Sequence, residues 1–150
     1  FFMTKEEFEE QIANGQMLEH AEYCGKYYGT PSSQIMDWIE EGRDVVLEIE
    51  VQGARQIKEK RPDCVSIFVL PPSLEELEKR LRYRNTEDEE TIQKRLAVAR
   101  QEMETARDYD YVIVNDTIEH TVEQINKIIA AEKLKVSRAK SNIERVLNND

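Results

Sequence analysis

The chain has 150 residues and a formal net charge of -10, with 39% hydrophobic and 35% charged residues. That length is enough for one domain, or a closely coupled pair, with a buried core. The acidic balance argues against a nucleic-acid backbone or an anionic membrane as the main partner, so any phosphate must be met by locally concentrated cations. The longest apolar run, Val65 to Leu70 with a serine inside it, is too short to span a bilayer, and no signal peptide is visible in these residues. Cys24 and Cys64 have no metal-ligand spacing, which is the pattern of reduced thiols in a cytoplasm.

The chain opens on Phe1-Phe2-Met3 and reaches a helix signal at once, so it reads as entered midway. Thr4 and Glu7 form a capping box, and Phe8 and Ile12 share a helix face that stops at Asn14-Gly15. A hairpin follows, Met17 to Tyr23, a turn at Cys24-Gly25-Lys26, then Tyr27-Tyr28-Gly29-Thr30. Pro31 opens a helix with Ile35, Trp38 and Ile39 inward, ending at Gly42. Asp44 to Glu50 reads as a strand, followed by Gly53 and a short helix ending near Lys60. Val65 to Leu70 is apolar nearly throughout, as in a strand buried on both faces. Ser73 and Glu76 form a second capping box; Asn85-Thr86 breaks that helix, and Thr86 and Glu89 form a third, opening a helix to about Arg107. Tyr111 to Val114 is a strand closed by Asn115-Asp116. The last helix carries Ile118, Val122, Ile125, Ile128 and Ile129, and the chain beyond Lys135 is mostly polar. From residue 31 onwards strand and helix alternate, which predicts an α/β fold with a parallel sheet.

Three groups of residues can carry chemistry. In the stretch Asp44 to Glu50, alternation puts Val45, Leu47 and Ile49 on one face and Glu48 and Glu50 on the other. Carboxylates at a strand's C-terminal end suit the adjacent N–H donors of guanine, or water held on Mg²⁺; two solvated acids are the plainer alternative. Glu19 precedes the run Gly25-Lys26-Tyr27-Tyr28-Gly29-Thr30, where a phenol beside a glycine can meet a phosphate and Thr30 can meet a base edge. Equally, the tyrosines can pack and Thr30 can cap the next helix. Finally, Lys79-Arg80-Leu81-Arg82-Tyr83-Arg84 puts four cations in six residues, with Arg95 on the helix after the break. Arginines at that spacing can clamp a phosphate chain, or form surface ion pairs with Glu76, Glu87 and Glu90. Arg82 and Arg100 fit the ion-pair reading. His20 and His120 have no nucleophile or metal-ligand partner nearby in the sequence and read as structural or exposed.

Five segments, in this order and spacing, resemble guanylate kinase over essentially the whole chain. They are Leu18-Glu19-His20-Ala21-Glu22-Tyr23, Gly25-Lys26-Tyr27-Tyr28-Gly29-Thr30-Pro31, Val46-Leu47-Glu48-Ile49-Glu50-Val51-Gln52-Gly53, Phe68-Val69-Leu70-Pro71-Pro72-Ser73 and Val112-Ile113-Val114-Asn115-Asp116. The resemblance implies a P-loop-kinase-like parallel sheet with flanking helices, a helical lid and part of a small GMP-binding subdomain. It implies ATP-dependent phosphorylation of GMP to GDP with Mg²⁺, in a cytoplasm, with GMP and ATP as partners, and it admits a homodimer. In such an enzyme Glu19, Thr30 and Glu48 read guanine and Tyr28 binds the GMP phosphate. Glu50 lies near the phosphates and reaches the metal only through water. Arg80, Arg84 and Arg95 are the lid and phosphate-clamp arginines, and Asn115, with Arg80 and Arg84, falls on the ATP side. The implied regions are 1–30 for the GMP-binding subdomain, 31–75 for core, 76–107 for the lid region, and 108–150 for core and C-terminal helix.

The chain departs from the family pattern in places. The acids of the central strand vary between aspartate and glutamate among branches, and Asn85 replaces the glycine usual after the lid arginine, which bears on the lid hinge. More severely, none of the five glycines precedes a Gly-Lys-Ser or Gly-Lys-Thr, so the Walker A loop and its central strand are absent from these residues. The family serine and arginines that grip the GMP phosphate have no match either. A missing central strand would leave buried amides unpaired at about 1–3 kcal/mol each. We therefore expect the functional protein to include upstream residues, and these 150 alone to be inactive. A non-catalytic, phosphopeptide-binding module of the same fold is the competing class. Such modules tend to lose the lid arginines, which here are all present.

Overall fold

The computed structural model describes residues 3–23, 26–83 and 88–148, which divide into two compact units, Phe1–Ser66 and Ile67–Asp150.

In the first unit, helix α1 (Lys5–Ala13) starts on the expected box: Thr4 N–H donates to Glu7 at 2.8 Å and Glu7 N–H to the Thr4 hydroxyl at 3.2 Å. It stops where Asn14 is followed by Gly15 at φ 67°, a left-handed turn that glycine adopts without penalty. Strands β1 (Met17–Tyr23) and β2 (Lys26–Pro31) pair antiparallel, bringing Glu19 opposite Thr30 and Ala21 opposite Tyr28. The expected turn at Cys24-Gly25 lies outside the described residues. Phe8 on α1 is buried, its ring so close to Gly29 that a side chain there would touch it.

Helix α2 (Ser32–Glu40) is capped by Pro31, not by Thr30, and the carbonyl of Gln16 accepts both the Ser32 amide and hydroxyl at 2.8 Å. Ile35 is buried and Trp38 packs on the core, but Ile39 is exposed, because the nine-residue helix turns that position away from the small apolar cluster. Helix α3 (Val51–Lys60) begins earlier than expected, so Gly53 lies inside its first turn. Leu18, Ile35 and Ile57 form the buried centre, with Trp38, Val45, Leu47 and Ile49 packed around it.

Residues 44–50 do not form the expected strand. The alternation is there, with Val45, Leu47 and Ile49 turned inward and Val46 and Glu48 exposed. No ladder joins the stretch to another described segment, however, and a strand exists only where a neighbour meets its N–H and C=O groups.

In the second unit, β3 (Ile67–Leu70) and β4 (Tyr111–Val114) pair in parallel and in register, and the Asn115 amide extends the pairing to the Leu70 carbonyl at 2.7 Å. The fold is mixed α/β with a small parallel sheet. β3 is shorter than expected and is not covered on both faces: Val69 is 46% exposed, since among the described residues β3 has a single neighbouring strand. Ser73 caps α4 (Leu74–Tyr83) through the Glu76 amide. α5 (Glu89–Thr105) is capped by Asp88, whose carboxylate accepts the Thr91 amide at 2.8 Å, rather than by the expected Thr86. A short 3-10 turn, Ala106–Asp108, leads into β4. On α6 (Ile118–Lys133), Ile125, Ile128 and Ile129 are half-buried whereas Ile118 and Val122 are exposed. α7 (Lys140–Leu147) closes the described chain. Among the described residues, no helix is long and apolar enough to cross a membrane.

Candidate functional site

Strand pairing and one further segment, the stretch before α3, assemble a cavity in the first unit. It encloses about 420 Å³ and is lined by Glu19, Tyr28, Thr30, Glu48 and Glu50, among others. The size lies within the range of small-molecule sites. All five residues singled out for a base and its phosphate thus line one concave surface, though they come from β1, β2 and the stretch before α3.

Glu19 is the most enclosed of them, at 3% exposure. Its β1 position turns it toward Thr30, whose hydroxyl donates to Glu19 Oε1 at 2.6 Å. That bond removes Thr30 from the capping alternative. Tyr28 is half exposed and lines the cavity. Glu48 is exposed and Glu50 partly buried, the latter immediately before the first turn of α3. The polar lining is therefore dominated by three carboxylates, which accept hydrogen bonds and repel anions. Such a surface suits the donor edge of a base and leaves a phosphate to be met by hydroxyls or by cations from elsewhere.

Two residues that the sequence reading did not single out individually position this site. Gly53 in α3 faces Glu19 so closely that a Cβ there would sit 3.0 Å from the Glu19 carboxyl carbon and nearer still to Oε2. Gln56, one turn on, bonds the backbone next to Glu19 from both sides: its Nε2 donates to the His20 carbonyl at 2.6 Å and its Oε1 accepts the His20 amide at 3.2 Å. Lys60 adds bonds to the carbonyls of Met17 and Leu18 at 3.0 and 2.8 Å. These pairs are more than thirty residues apart in sequence, beyond any local pattern. Gly53 alone was marked in the sequence, as a glycine just ahead of the expected short helix.

In the second unit, Arg80 is held by three acceptors. Its Nη1 donates to the Asn115 carbonyl at 3.1 Å and to Asn115 Oδ1 at 3.2 Å, and its Nε to Glu76 Oε1 at 2.9 Å. The ion pair with Glu76 and the approach to Asn115 therefore coexist. Arg95 is half-buried on α5, and Arg84 lies outside the described residues. Arg82 bridges Glu78 and Glu89 and holds the Glu89 carboxyl at about 2, chiefly by hydrogen bonding. That is the surface ion pairing expected of it, joining α4 to α5. The His120 ring meets Asp116 at 2.9 Å and Gln124 at 2.7 Å at the start of α6, a structural arrangement with no nucleophile in it. Among the described residues, no three His, Cys, Asp or Glu side chains cluster to hold a metal directly.

The family model described as guanylate kinase matches residues 1–132. The chain belongs to the guanylate kinase family. By family it is an enzyme, a nucleoside monophosphate kinase, and the interaction-module alternative is not favoured. Among its relatives, the guanylate kinase of Lactococcus lactis is 51% identical over 148 residues, covering 99% of this chain and 71% of the relative. That of Oceanobacillus iheyensis is 48% identical over 149 residues, covering 99% of the chain and 72% of the relative. The crystal structure of guanylate kinase from Anaplasma phagocytophilum superposes with a TM-score of 0.77 at 38% identity, covering 92% of this chain and 67% of that one.

Proposed function

We propose that the cavity of the first unit is the GMP site of a guanylate kinase that uses ATP, with Mg²⁺, as phosphoryl donor. The observation that carries this reading is the Glu19–Thr30 pair inside a cavity walled also by Glu48, Glu50 and Tyr28. Guanine presents N1–H and a 2-amino group side by side, both donors, to which Glu19 and Glu48 can offer carboxylate oxygens. Adenine presents an unprotonated ring nitrogen at the equivalent place, which would face those oxygens without a proton between them. Thr30 holds one Glu19 oxygen and so orients the other. The Tyr28 phenol donates to the GMP phosphate.

The cations of this reading are the arginines of the lid region. Arg80, Arg84 and Arg95 spread charge over the oxygens of the transferring phosphoryl group, where fork-shaped guanidinium groups bind two oxygens at once. Asn115 is the adenine-side contact, and its hold on Arg80 couples the two. The metal, when bound, neutralises charge between the phosphates. Glu50 is a hard oxygen donor that lines the cavity, and its part toward the metal is through bound water. The glycine-rich phosphate cradle of the family does not occur in these 150 residues, so the contacts assigned to ATP here are Arg80, Arg84 and Asn115.

A coupled assay of ADP formation by the full-length protein tests the reading. GMP with ATP and Mg²⁺ should turn over, chelation should abolish turnover, and AMP should be poorer by at least about 100-fold. AMP turnover comparable with that of GMP would contradict the assignment of the base pocket.

A further inference from the structure

Helix α3 approaches β1 where its sequence offers least bulk. Gly53, the third residue of the helix, is buried and faces the Glu19 side chain. The three heavy atoms nearest to a Cβ built there all belong to the Glu19 side chain: Oε2 first, then Cδ at 3.0 Å and Cγ at 3.3 Å. The backbone at Gly53 does not itself demand glycine, since it sits in an ordinary helical turn and not in the left-handed region that Gly15 and Gly42 occupy. Glycine weakens a helix relative to alanine. What a side chain at this position would meet first is therefore a carboxylate.

We infer that Gly53 is a positioning residue for base recognition, reserving the space in which the Glu19 carboxylate rests, with Gln56 fixing the adjoining backbone. This rests on the reading of Glu19 as a guanine contact. Thr30 holds Oε1 from one side and α3 leaves room for Oε2 on the other, so the carboxylate has one settled position. A methyl group at 53 evicts it. The far end of a glutamate is flexible and can rotate away at little structural cost, but it then leaves both Thr30 and the base. Gln56 acts one residue later in β1, where its two-point bond with His20 sets the height of the strand on the helix. Recognition would thus depend on a residue that need not touch the nucleotide.

The test is a double-mutant cycle on the full-length enzyme, with KM for GMP and kcat measured for Glu19→Ala, Gly53→Ala and the double variant. Gly53→Ala alone should raise KM for GMP by about 10- to 100-fold with kcat changed much less, because a lost charged hydrogen bond is worth that much. On the Glu19→Ala background the same substitution should change KM by less than about twofold, because the group it displaces is gone. Full additivity, or no effect of Gly53→Ala, overturns the inference. If Glu19→Ala itself leaves KM for GMP unchanged, it is the assignment of Glu19 to the base that fails. Should Gly53→Ala not fold, the double variant decides: recovery of a cooperative melt identifies Glu19 as what it clashes with, and continued misfolding shows that Gly53 serves backbone packing alone.

Discussion

The Thr30 hydroxyl donates to Glu19 Oε1 at 2.6 Å, across a strand pair in which the two residues stand opposite each other. Strand register thereby becomes site geometry. The hairpin presents a carboxylate already bonded on one oxygen and almost wholly removed from water.

Thr30→Val keeps the β-branched shape and removes the donor. The expected result is a rise in KM for GMP of about 10-fold, from loss of one hydrogen bond to a charged group, with kcat little changed. Thr30→Ser, which retains the hydroxyl, should stay within about threefold of the parent. Steady-state kinetics at varied GMP checks both.

Arg80 makes a different kind of prediction. A guanidinium can reach Glu76 and both oxygens of Asn115 together; an ammonium presents a single point and cannot reproduce that spread. Arg80→Lys in the full-length enzyme should therefore lower kcat/KM for ATP by about 10- to 100-fold while KM for GMP moves little. Varying ATP at saturating GMP, and then the reverse, separates the two.

The second unit carries a pH-dependent latch distant in sequence from the cavity. Glu132 is 5% exposed and accepts from the Lys135 ammonium at 2.6 Å and the Tyr111 hydroxyl at 2.5 Å. Lys135 first, then Tyr111, holds its carboxyl below the usual value of 4.5, and the same pairing, with Glu132 as its main cause, raises the Tyr111 phenol above 10. A depressed carboxyl stabilises the fold above its unfolded value and loses that contribution as pH falls through the folded one. A raised phenol stabilises below its unfolded value and loses that as pH rises through the folded one. The latch should therefore be fully made between about pH 5 and pH 10. Glu132→Gln should lower Tm across that window, and its difference from the parent should close as the acid limb is descended. A Tm difference that persists unchanged at pH 3 would show that shape, not charge, is what Glu132 supplies.

Much of this arrangement is legible in local pattern. The Thr4–Glu7 box, the hairpin, and the inward set Val45, Leu47 and Ile49 follow from capping chemistry and alternation, which involve neighbours only. Tyr28, Thr30, Glu48 and Glu50 are marked by residue type near a glycine or at the end of an apolar stretch, Glu19 only by the family resemblance, and the fold brings all five to one cavity. What failed involved partners. Alternation in residues 44–50 reveals a face but not whether another strand lies alongside, so the ladder did not follow. Thr86 and Asp88 are both good caps two residues apart, and only the observed bond to Thr91 separates them. Ile39 continues the apolar face of α2, yet a core of three buried residues is too small to reach it. Gln56 and His20 are 36 positions apart, and nothing in either residue announces the other.

The base pocket is the centre of this account, and Glu48→Ala tests it most directly, because Glu48 is an exposed wall residue whose loss leaves the buried core intact. In the full-length enzyme, KM for GMP should rise by at least about 10-fold while kcat at saturating GMP falls by less than about threefold. A variant whose KM for GMP is unchanged, or whose defect lies in kcat alone, would contradict the assignment of this cavity to the guanine base.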